Sequence, residues 1–179
     1  MNETFVYHRA VENMEGTTLY PLNQLKTIFP DAYKAHLKKY KDREHLLETK
    51  IPTLDCLWND VLHFTAVSPE VLYRNITNAG FNPEIVWKKW FQIPVSMLDP
   101  KNTTVCLYRR DLSLVPDARS FSEFDSSKMA EYGMVLPETL QYYQEQFKQG
   151  KRPLFFHRVP HILYKGTVDT TGLEIIKLK

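Results

Sequence analysis

The order of strand-like and helix-like segments restricts the fold of this chain more than any other feature of its sequence. β-Branched and aromatic residues predict strands at residues 4–8, 61–65, 103–108, 154–159, 162–165 and 173–178. Helical patterns are concentrated between residues 22 and 92. Because strands and helices do not alternate regularly, the sequence predicts an α+β fold with a mainly antiparallel sheet and with helices clustered in the first half of the chain.

Several segments carry helix signals. Apolar residues recur every three or four positions from residue 22 to 47, and Pro30 is expected to divide this segment into two helices. Residues 68–80 begin with Ser-Pro-Glu and end with Gly, which predicts one capped helix. Pro-Glu starts predict further helices at residues 82–90 and 137–150.

Length and composition indicate one folded domain over residues 1–179. The chain is 43% hydrophobic and 13% aromatic, which supplies enough apolar surface for a core without disulfides or metals. Residues 110–135 show little periodicity and are expected to form a long loop, which in a compact domain is often functional.

Charge gives no indication of a nucleic-acid or membrane partner. The formal net charge of +2 is nearly balanced, and the densest basic run, residues 34–43, has the spacing of a solvated helix face, which is favoured over a phosphate-binding surface. The sequence begins without a basic and apolar leader pattern, and no stretch approaches the length of a membrane span. We therefore expect a cytoplasmic protein, and the oligomeric state stays open.

Common phosphate-binding and zinc-binding motifs do not occur. The chain contains no GxxxxGK[ST], GxGxxG, HExxH or CxxC pattern, and it has no GxSxG nucleophile turn. No metal is therefore expected. Cys56 and Cys106 lie in apolar segments, and we interpret them as small buried residues in preference to a disulfide or a nucleophile.

One group of candidate residues lies on the first predicted strand. Alternation along a strand places His8 on the opposite face from Tyr7 and Arg9. His8 can then line a cleft, or it can form a hydrogen bond within the sheet. The sequence leaves both interpretations open.

A second group lies in the segment CLWNDVLHF. Trp58 and His63 stand in an apolar setting, where unpaired polar groups are costly to bury. Such residues either form structural hydrogen bonds or face a ligand. Asn59 and Asp60 are typical of a turn that joins two strands, and this interpretation is favoured for them.

A third group lies near the end of the sequence. His157 and His161 are four residues apart, but Pro160 and the β-rich composition argue against a helical metal-binding pair. Glu174 is a carboxylate within the apolar run LEIIKL. It is a candidate acid, base or cation-stabilising group if its face of the strand looks into a cleft.

The aromatic-His pair at residues 7 and 8, the segment VLHFTAVSPEVLYR at residues 61–74 and the late Glu174 resemble the ADP-ribosyltransferase-like group. The middle segment is similar to a stretch of DNA-targeting ADP-ribosyltransferase toxins, in which an aromatic strand leads through a Pro-containing turn to a Leu-Tyr pair. The resemblance implies an enzyme that takes NAD as its substrate.

In that group, a His or Arg on the first strand binds the ribose or amide of NAD, aromatic rings stack on the nicotinamide, and a late Glu stabilises the oxocarbenium ion. The resemblance implies catalytic roles for His8 and Glu174. It also implies contacts with NAD by Arg9, His63, Phe64 and Tyr73. A carboxylate in this position acts on charge that exists chiefly in the transition state.

Two other interpretations remain. The same aromatic cleft could belong to a non-catalytic module that binds a small molecule or a partner protein. Alternatively, Trp87, Trp90 and Phe91 could form an exposed apolar patch for oligomerisation, although a helix that buries its two Trp side chains is favoured. The sequence does not decide between an enzyme and a binding module.

Overall fold

The chain folds as an α+β protein with antiparallel strand pairing, as the sequence predicts. The computed structural model describes residues 3–12, 14–108 and 116–179. Its strands are β1 (Phe5–Arg9), β2 (Thr18–Leu19), β3 (Lys50–Ile51), β4 (Cys56–Leu57), β5 (Leu62–Phe64), β6 (Lys89–Pro94), β7 (Thr103–Cys106), β8 (Phe121–Glu123), β9 (His161–Tyr164), β10 (Val168–Asp169) and β11 (Glu174–Lys177). Its α-helices are α1 (Leu22–Ile28), α2 (Pro30–Leu37), α3 (Pro69–Asn78), α4 (Met129–Tyr132) and α5 (Pro137–Lys148).

Two sheets meet at one point of the fold. The first sheet has the strand order β1-β6-β11 and the second has the order β5-β9-β7-β8. Backbone hydrogen bonds between Tyr7 and Thr65, at 2.8 and 3.1 Å, join β1 to the end of β5. Val6, Phe64 and Ile162 belong to a core of buried side chains at this junction. The side chains near the junction are therefore fixed by both sheets.

Most of the α-helices lie where the helix signals in the sequence predict them. Pro30 separates α1 from α2, as predicted, because it can begin a helix but cannot continue one. The Ser68 hydroxyl accepts a hydrogen bond from the Val71 amide and caps α3. Helix α5 begins at the expected proline, Pro137, and packs Tyr143 into the same core cluster as α3. Within the described ranges, no helix combines the length and the apolar character that a membrane span requires.

The prediction of a helix through Trp90 is wrong. A single turn at Pro83–Ile85 is followed by β6, which lies between β1 and β11 as the central strand of the first sheet. Trp90 is 1% exposed and Phe91, on the other face of β6, is 8% exposed. A strand buried on both faces has no apolar-polar alternation. The same burial contradicts the interpretation of Trp90 and Phe91 as an exposed oligomerisation patch.

Residues 154–159 do not form the predicted strand. They form a turn, in which Arg158 has a left-handed backbone with a φ of 56°. Hydrogen bonds to α5 hold this turn in place: the Tyr143 hydroxyl donates to the carbonyl of Phe155, and the Thr139 hydroxyl donates to the carbonyl of His157 at 3.0 Å. The apolar pair Phe155 and Phe156 thus packs on a helix instead of pairing with a strand.

The long loop predicted at residues 110–135 is only partly a loop. Residues 121–123 form β8, which pairs with β7, and α4 follows at Met129–Tyr132. Phe121, Met129 and Tyr132 are buried, so this segment contributes to the core. Residues 110–115 of the predicted loop lie outside the described residues.

Candidate functional site

Two histidines and three aromatic side chains lie together where the second sheet faces the turn at residues 154–159. The rings of His63 and His161 have centroids 6.3 Å apart. Trp58 lies 4.7 Å from His63, and Tyr108 and Phe156 lie 5.6 and 6.0 Å from His161. We call this group, His63, His161, Trp58, Tyr108 and Phe156, the histidine recess.

Strand register brings the two histidines to one face. Strands β5 and β9 are antiparallel, with His63 opposite Leu163. His161 precedes Leu163 by two residues and therefore has its side chain on the same face of the sheet. Residues diagonal to each other across a strand pair are within reach of aromatic side chains.

Trp58 is held by the turn that leads into β5. Residues Trp58–Asp60 form one turn of 3-10 helix, which confirms the turn expected at Asn59 and Asp60. The Asp60 carboxylate accepts hydrogen bonds from the Leu57 amide at 2.8 Å and from the Asn23 side chain at 2.7 Å. These contacts tie the turn to α1. They keep the indole, which is 6% exposed, against His63.

Hydrogen bonds to backbone carbonyl groups fix the proton on each nearby imidazole. His63 Nε2 lies 2.8 Å from the Trp58 carbonyl oxygen, and His161 Nδ1 lies 3.0 Å from that of Val159. His8 Nδ1 lies 2.8 Å from the carbonyl oxygen of Arg9. A carbonyl oxygen only accepts, so these ring nitrogens must donate. The second nitrogen, Nδ1 of His63 and Nε2 of His8 and His161, is the acceptor when the ring is neutral.

The environment keeps these imidazoles neutral. Burial lowers the pKa of His8 and of His161 from 6.5 to about 4. Burial also lowers the pKa of His63 well below its usual value, and the positive charge of Lys39 acts in the same direction. At neutral pH each ring therefore presents an unprotonated, hydrogen-bond-accepting nitrogen.

The side chains of the recess keep part of their surface accessible. His63, His161, Tyr108 and Phe156 are each partly exposed, so part of each ring can be reached from solvent. Partly exposed aromatic and polar side chains suit a ligand-binding group.

Cationic side chains lie beside the recess. The charge of Lys39 acts on His8 and His63, that of Arg9 on His8 and His36, and that of Arg43 on Tyr108. We call Arg9, Lys39 and Arg43 the basic rim. In the part of the chain that the structure describes, none of these three cations forms an ion pair.

Lys39 lies next to Arg43 in the basic rim. Its residue surface is exposed, and its ammonium lies 5.1 Å from the centroid of the Tyr40 ring. Burial lowers the pKa of Lys39, and the charge of Arg43 lowers it further. Arg43 Nη2 donates to the Lys39 carbonyl oxygen at 2.6 Å, which holds the two cations together.

The structure places some of the sequence-predicted residues at or near the recess. His63 is part of it, and Arg9 stands at its basic rim with its guanidinium 4.8 Å from the Trp87 ring. His8 lies close enough that a proton gained by its ring would lower the pKa of His63. The rings of Phe64 and His8 meet edge to face, with centroids 5.8 Å apart, but Phe64 is 2% exposed and belongs to the core. Its ring face is therefore covered by protein.

Tyr73 and Glu174 lie elsewhere. The Tyr73 hydroxyl donates to the carbonyl of Lys179 at 2.8 Å, and its ring packs in the cluster around Trp90 and Tyr143. Glu174 is exposed on β11, in register with Gln92 and, through it, with Tyr7.

His8 pairs with the next residue of β6, Phe91. Its side chain is therefore on the opposite face of the first sheet from Glu174. The structure does not bring these two candidate catalytic residues together.

Sequence reasoning missed Tyr108, Phe156 and Lys39. Lys39 belongs to the basic run that was interpreted as a solvated helix face. His161 was considered only as a metal partner of His157, whose ring instead stacks on Tyr142 at 3.7 Å. The alternation of side chains along β9 could have indicated that His161 faces the protein interior, because His161 lies on the same face of the strand as the buried Leu163.

Thiol and metal chemistry find little support at this site. Cys106 is opposite His161 in the sheet, but it is 0% exposed and burial raises the pKa of its thiol to about 12. A thiol with such a pKa is not a nucleophile at neutral pH. Among the described residues, no three His, Cys, Asp or Glu side chains are grouped to hold a metal ion.

Comparisons with known proteins neither support nor rule out the family resemblance. No protein-family model, no curated protein and no solved structure matches this chain.

Proposed function

We propose that this chain binds NAD or a related nucleotide in the histidine recess. The observation that carries the proposal is the juxtaposition of neutral imidazoles, partly exposed aromatic rings and cations without ion pairs. A nucleotide has a flat base, a ribose with hydroxyl donors and an anionic phosphate group. Each of these parts finds a complementary group in this region.

The aromatic side chains suit the base. The rings of Tyr108 and Phe156 lie 5.6 and 6.0 Å from the ring of His161, and both keep accessible surface. A base that stacks on one such ring gains about 1–3 kcal/mol. This contribution does not depend on which base is bound.

The neutral histidines suit the ribose. Their protonated nitrogens already donate to backbone carbonyls, so Nδ1 of His63 and Nε2 of His161 are acceptors. A ribose hydroxyl or a carboxamide N–H is a donor that such an acceptor can bind. A site built to pair with a hydroxyl discriminates strongly against an analogue that lacks it.

The basic rim suits the phosphates. Lys39 and Arg43 are close together, and the charge of Lys39 reaches His63. Two carboxylates, Asp42 and Glu44, flank Arg43 in the sequence. The Glu44 carboxylate accepts a hydrogen bond from the Asp42 amide at 3.0 Å. A nucleotide diphosphate would add the counter-charge that the rim cations do not obtain from ion pairs among the described residues.

The resemblance to ADP-ribosyltransferases adds a reaction to this proposal. The bond between ribose C1′ and the nicotinamide nitrogen breaks, its electron pair leaves with nicotinamide, and an acceptor nucleophile forms the new bond to C1′. His63 would orient the ribose through a hydroxyl. The resemblance assigns the stabilisation of the ribosyl cation to Glu174.

One observation favours the non-catalytic alternative. Glu174 is exposed on β11 and on the opposite face of the first sheet from His8. A carboxylate must lie beside the ribosyl cation to stabilise it. On this ground, the same recess could hold a nucleotide without cleaving it.

Calorimetric titration of NAD tests the binding proposal. We expect His63→Ala to weaken binding by about tenfold or more, since truncating a group at the centre of a site costs on the order of 1–2 kcal/mol. His45→Ala is the matched control, because His45 is exposed on a separate turn. Failure of the wild type to bind NAD, ADP-ribose or AMP at millimolar concentration would overturn the proposal. Equal affinities of the two variants would do so as well.

Enzymatic activity needs a separate assay. Nicotinamide released from NAD, measured chromatographically, distinguishes the transferase from the binding module. Release that the His63→Ala variant loses supports the transferase, whereas tight NAD binding without release supports the module.

A further inference from the structure

A cavity that is open to solvent lies beside Trp87. It has a volume of about 650 Å³, within the range of small-molecule pockets. It is lined by the turn at Pro83–Ile85, by Trp87 and by residues around the end of α5. The nucleotide proposal does not use this cavity.

The walls of the cavity are mainly apolar. Phe81 and Phe147 meet edge to face with ring centroids 5.3 Å apart, and Trp87 and Ile85 also line the space. Phe147 is 47% exposed, although it is a large apolar residue on a helix. A hydrocarbon group in this cavity would cover the exposed ring, and burial of apolar surface is favourable.

Two cations lie at the same cavity, Lys151 and Arg152. The Arg152 guanidinium lies 5.7 Å from the Phe155 ring and makes one long hydrogen bond, 3.4 Å, to the carbonyl of Ile85. Most of its N–H donors thus stay available. In the described parts of the chain, neither Lys151 nor Arg152 forms an ion pair.

Other charges near the cavity do not cancel these cations. The cavity-lining carboxylate Glu84 pairs with Lys88 at 3.3 Å. Two of the last carbonyl groups of α5 are also occupied, because the amides of Gly150 and Lys151 donate to the carbonyls of Phe147 and Gln146. Arg152 is therefore placed to bind an anionic group at the mouth of an apolar space.

We infer that this cavity binds a small molecule with a hydrocarbon body and one carboxylate. The hydrocarbon would contact Phe81, Trp87 and Phe147, and the carboxylate would take charge-assisted hydrogen bonds from Arg152. Arginine matches a carboxylate with parallel N–H donors, which gives geometric specificity as well as attraction.

Calorimetric titration with decanoate tests the inference. Decyltrimethylammonium is the probe with the same chain and the opposite charge, and decanol is the neutral one. We expect the wild type to bind decanoate at least about tenfold more tightly than either analogue, the order of effect of one charge-assisted pair. Equal binding of all three probes, or no binding of decanoate, overturns the inference.

Arg152→Met and Lys148→Met separate the specific contact from general charge. Each variant removes one exposed cation near the end of α5, but Lys148 does not line the cavity. We expect Arg152→Met to weaken decanoate binding about tenfold and Lys148→Met to change it by less than about twofold. Equal effects of the two substitutions overturn the assignment, and circular dichroism checks that both variants are folded.

Discussion

His63 contacts Trp58 twice, once through its ring and once through its proton. The two rings have centroids 4.7 Å apart, and His63 Nε2 lies 2.8 Å from the carbonyl oxygen of the same Trp58. The indole thus fixes the position of the imidazole, and the carbonyl fixes its tautomer. The remaining nitrogen, Nδ1, is left as the acceptor. This arrangement makes His63 a hydrogen-bond acceptor at neutral pH, not a cation.

Lys39→Met is expected to weaken binding of NAD without affecting binding of adenosine. The charge of Lys39 acts on His63, so the ammonium would act on phosphate groups and not on an uncharged nucleoside. Loss of one charge-assisted hydrogen bond corresponds to about tenfold in affinity. Titration calorimetry of both ligands at low salt provides the measurement.

The matched control is Lys34→Met, because Lys34 is exposed on α2 and pairs with Asp31. The control should bind NAD as the wild type does. If Lys39→Met and Lys34→Met behave alike, the phosphates are not held at the basic rim.

Local signals were sufficient where one residue decides the backbone. Pro30 divides α1 from α2, and Ser68 caps α3, because the chemistry of each boundary lies within a few residues. The α+β class followed from the order of the segments alone. Tertiary packing was not needed for these predictions.

The central strand of the first sheet could not be predicted in this way. Trp87 and Trp90 have helical spacing, but Trp90 and Phe91 are covered from opposite sides by different clusters of the core. Burial on both faces removes the alternation that marks a strand, and the Pro-Glu start at Pro83 predicts a helix. Only contacts distant in sequence distinguish the two structures.

Only part of the site was predicted, because its other residues also depend on contacts that are distant in sequence. His63 was identified from its apolar surroundings, but Tyr108 and Phe156 reach His161 from separate segments. The turn at residues 154–159 is set by hydrogen bonds from α5, which a local pattern does not contain. His8 and Glu174 share a sheet, but register places them on opposite faces.

The neutral histidines predict a loss of stability in acid that begins above the pH range in which carboxylates titrate. The pKa of His8 and of His161 is about 4 in the folded protein and 6.5 in the unfolded chain, and the pKa of His63 is also lowered. Between these values the unfolded chain binds more protons, so the free energy of unfolding falls as the pH falls from about 6.5 towards about 4. His8 and His161 each contribute up to about 3 kcal/mol.

Urea unfolding between pH 7 and pH 5 measures this dependence. His161→Gln keeps a side chain that can donate a hydrogen bond but cannot take up a proton, so its free energy of unfolding should fall less steeply over this range. His45→Gln serves as the control, since His45 is exposed. Equal slopes for the wild type and His161→Gln would contradict the prediction.

Tyr143→Phe is expected to destabilise the protein and to loosen the recess. Tyr143 is 0% exposed, and its hydroxyl donates to the carbonyl of Phe155, next to Phe156. Removing the hydroxyl leaves a buried carbonyl without this donor, which costs about 1–3 kcal/mol. Urea unfolding gives the change in stability, and NAD titration gives the effect on the recess.

Tyr142→Phe is the comparison for this prediction. The Tyr142 hydroxyl accepts a hydrogen bond from the Leu154 amide at 3.0 Å, but it lies nearer the solvent. We expect a smaller loss of stability in this variant. A Tyr143→Phe protein as stable as the wild type would show that the hydroxyl does not hold the turn.

The two thiols should differ in reactivity. Cys106 is 0% exposed and burial raises its pKa to about 12, whereas Cys56 is partly exposed. In the native Cys56→Ser variant, we expect Ellman's reagent to react only after urea is added, because the thiolate is the reactive form. Rapid labelling of the native variant would contradict the burial of Cys106 and reopen a thiol role beside His161.

Glu174→Gln tests the one catalytic carboxylate that the family resemblance implies. Glu174 is exposed on β11 and lies on the opposite face of the first sheet from His8, so we expect this variant to bind NAD within about twofold of the wild type. Titration calorimetry measures the affinity, and chromatography measures nicotinamide release in the same samples.

Glu84→Gln is the control, because Glu84 is an exposed carboxylate at the other cavity. A large loss of NAD affinity in Glu174→Gln would contradict the placement of the nucleotide in the histidine recess. Loss of release with binding intact would assign Glu174 the charge-stabilising role.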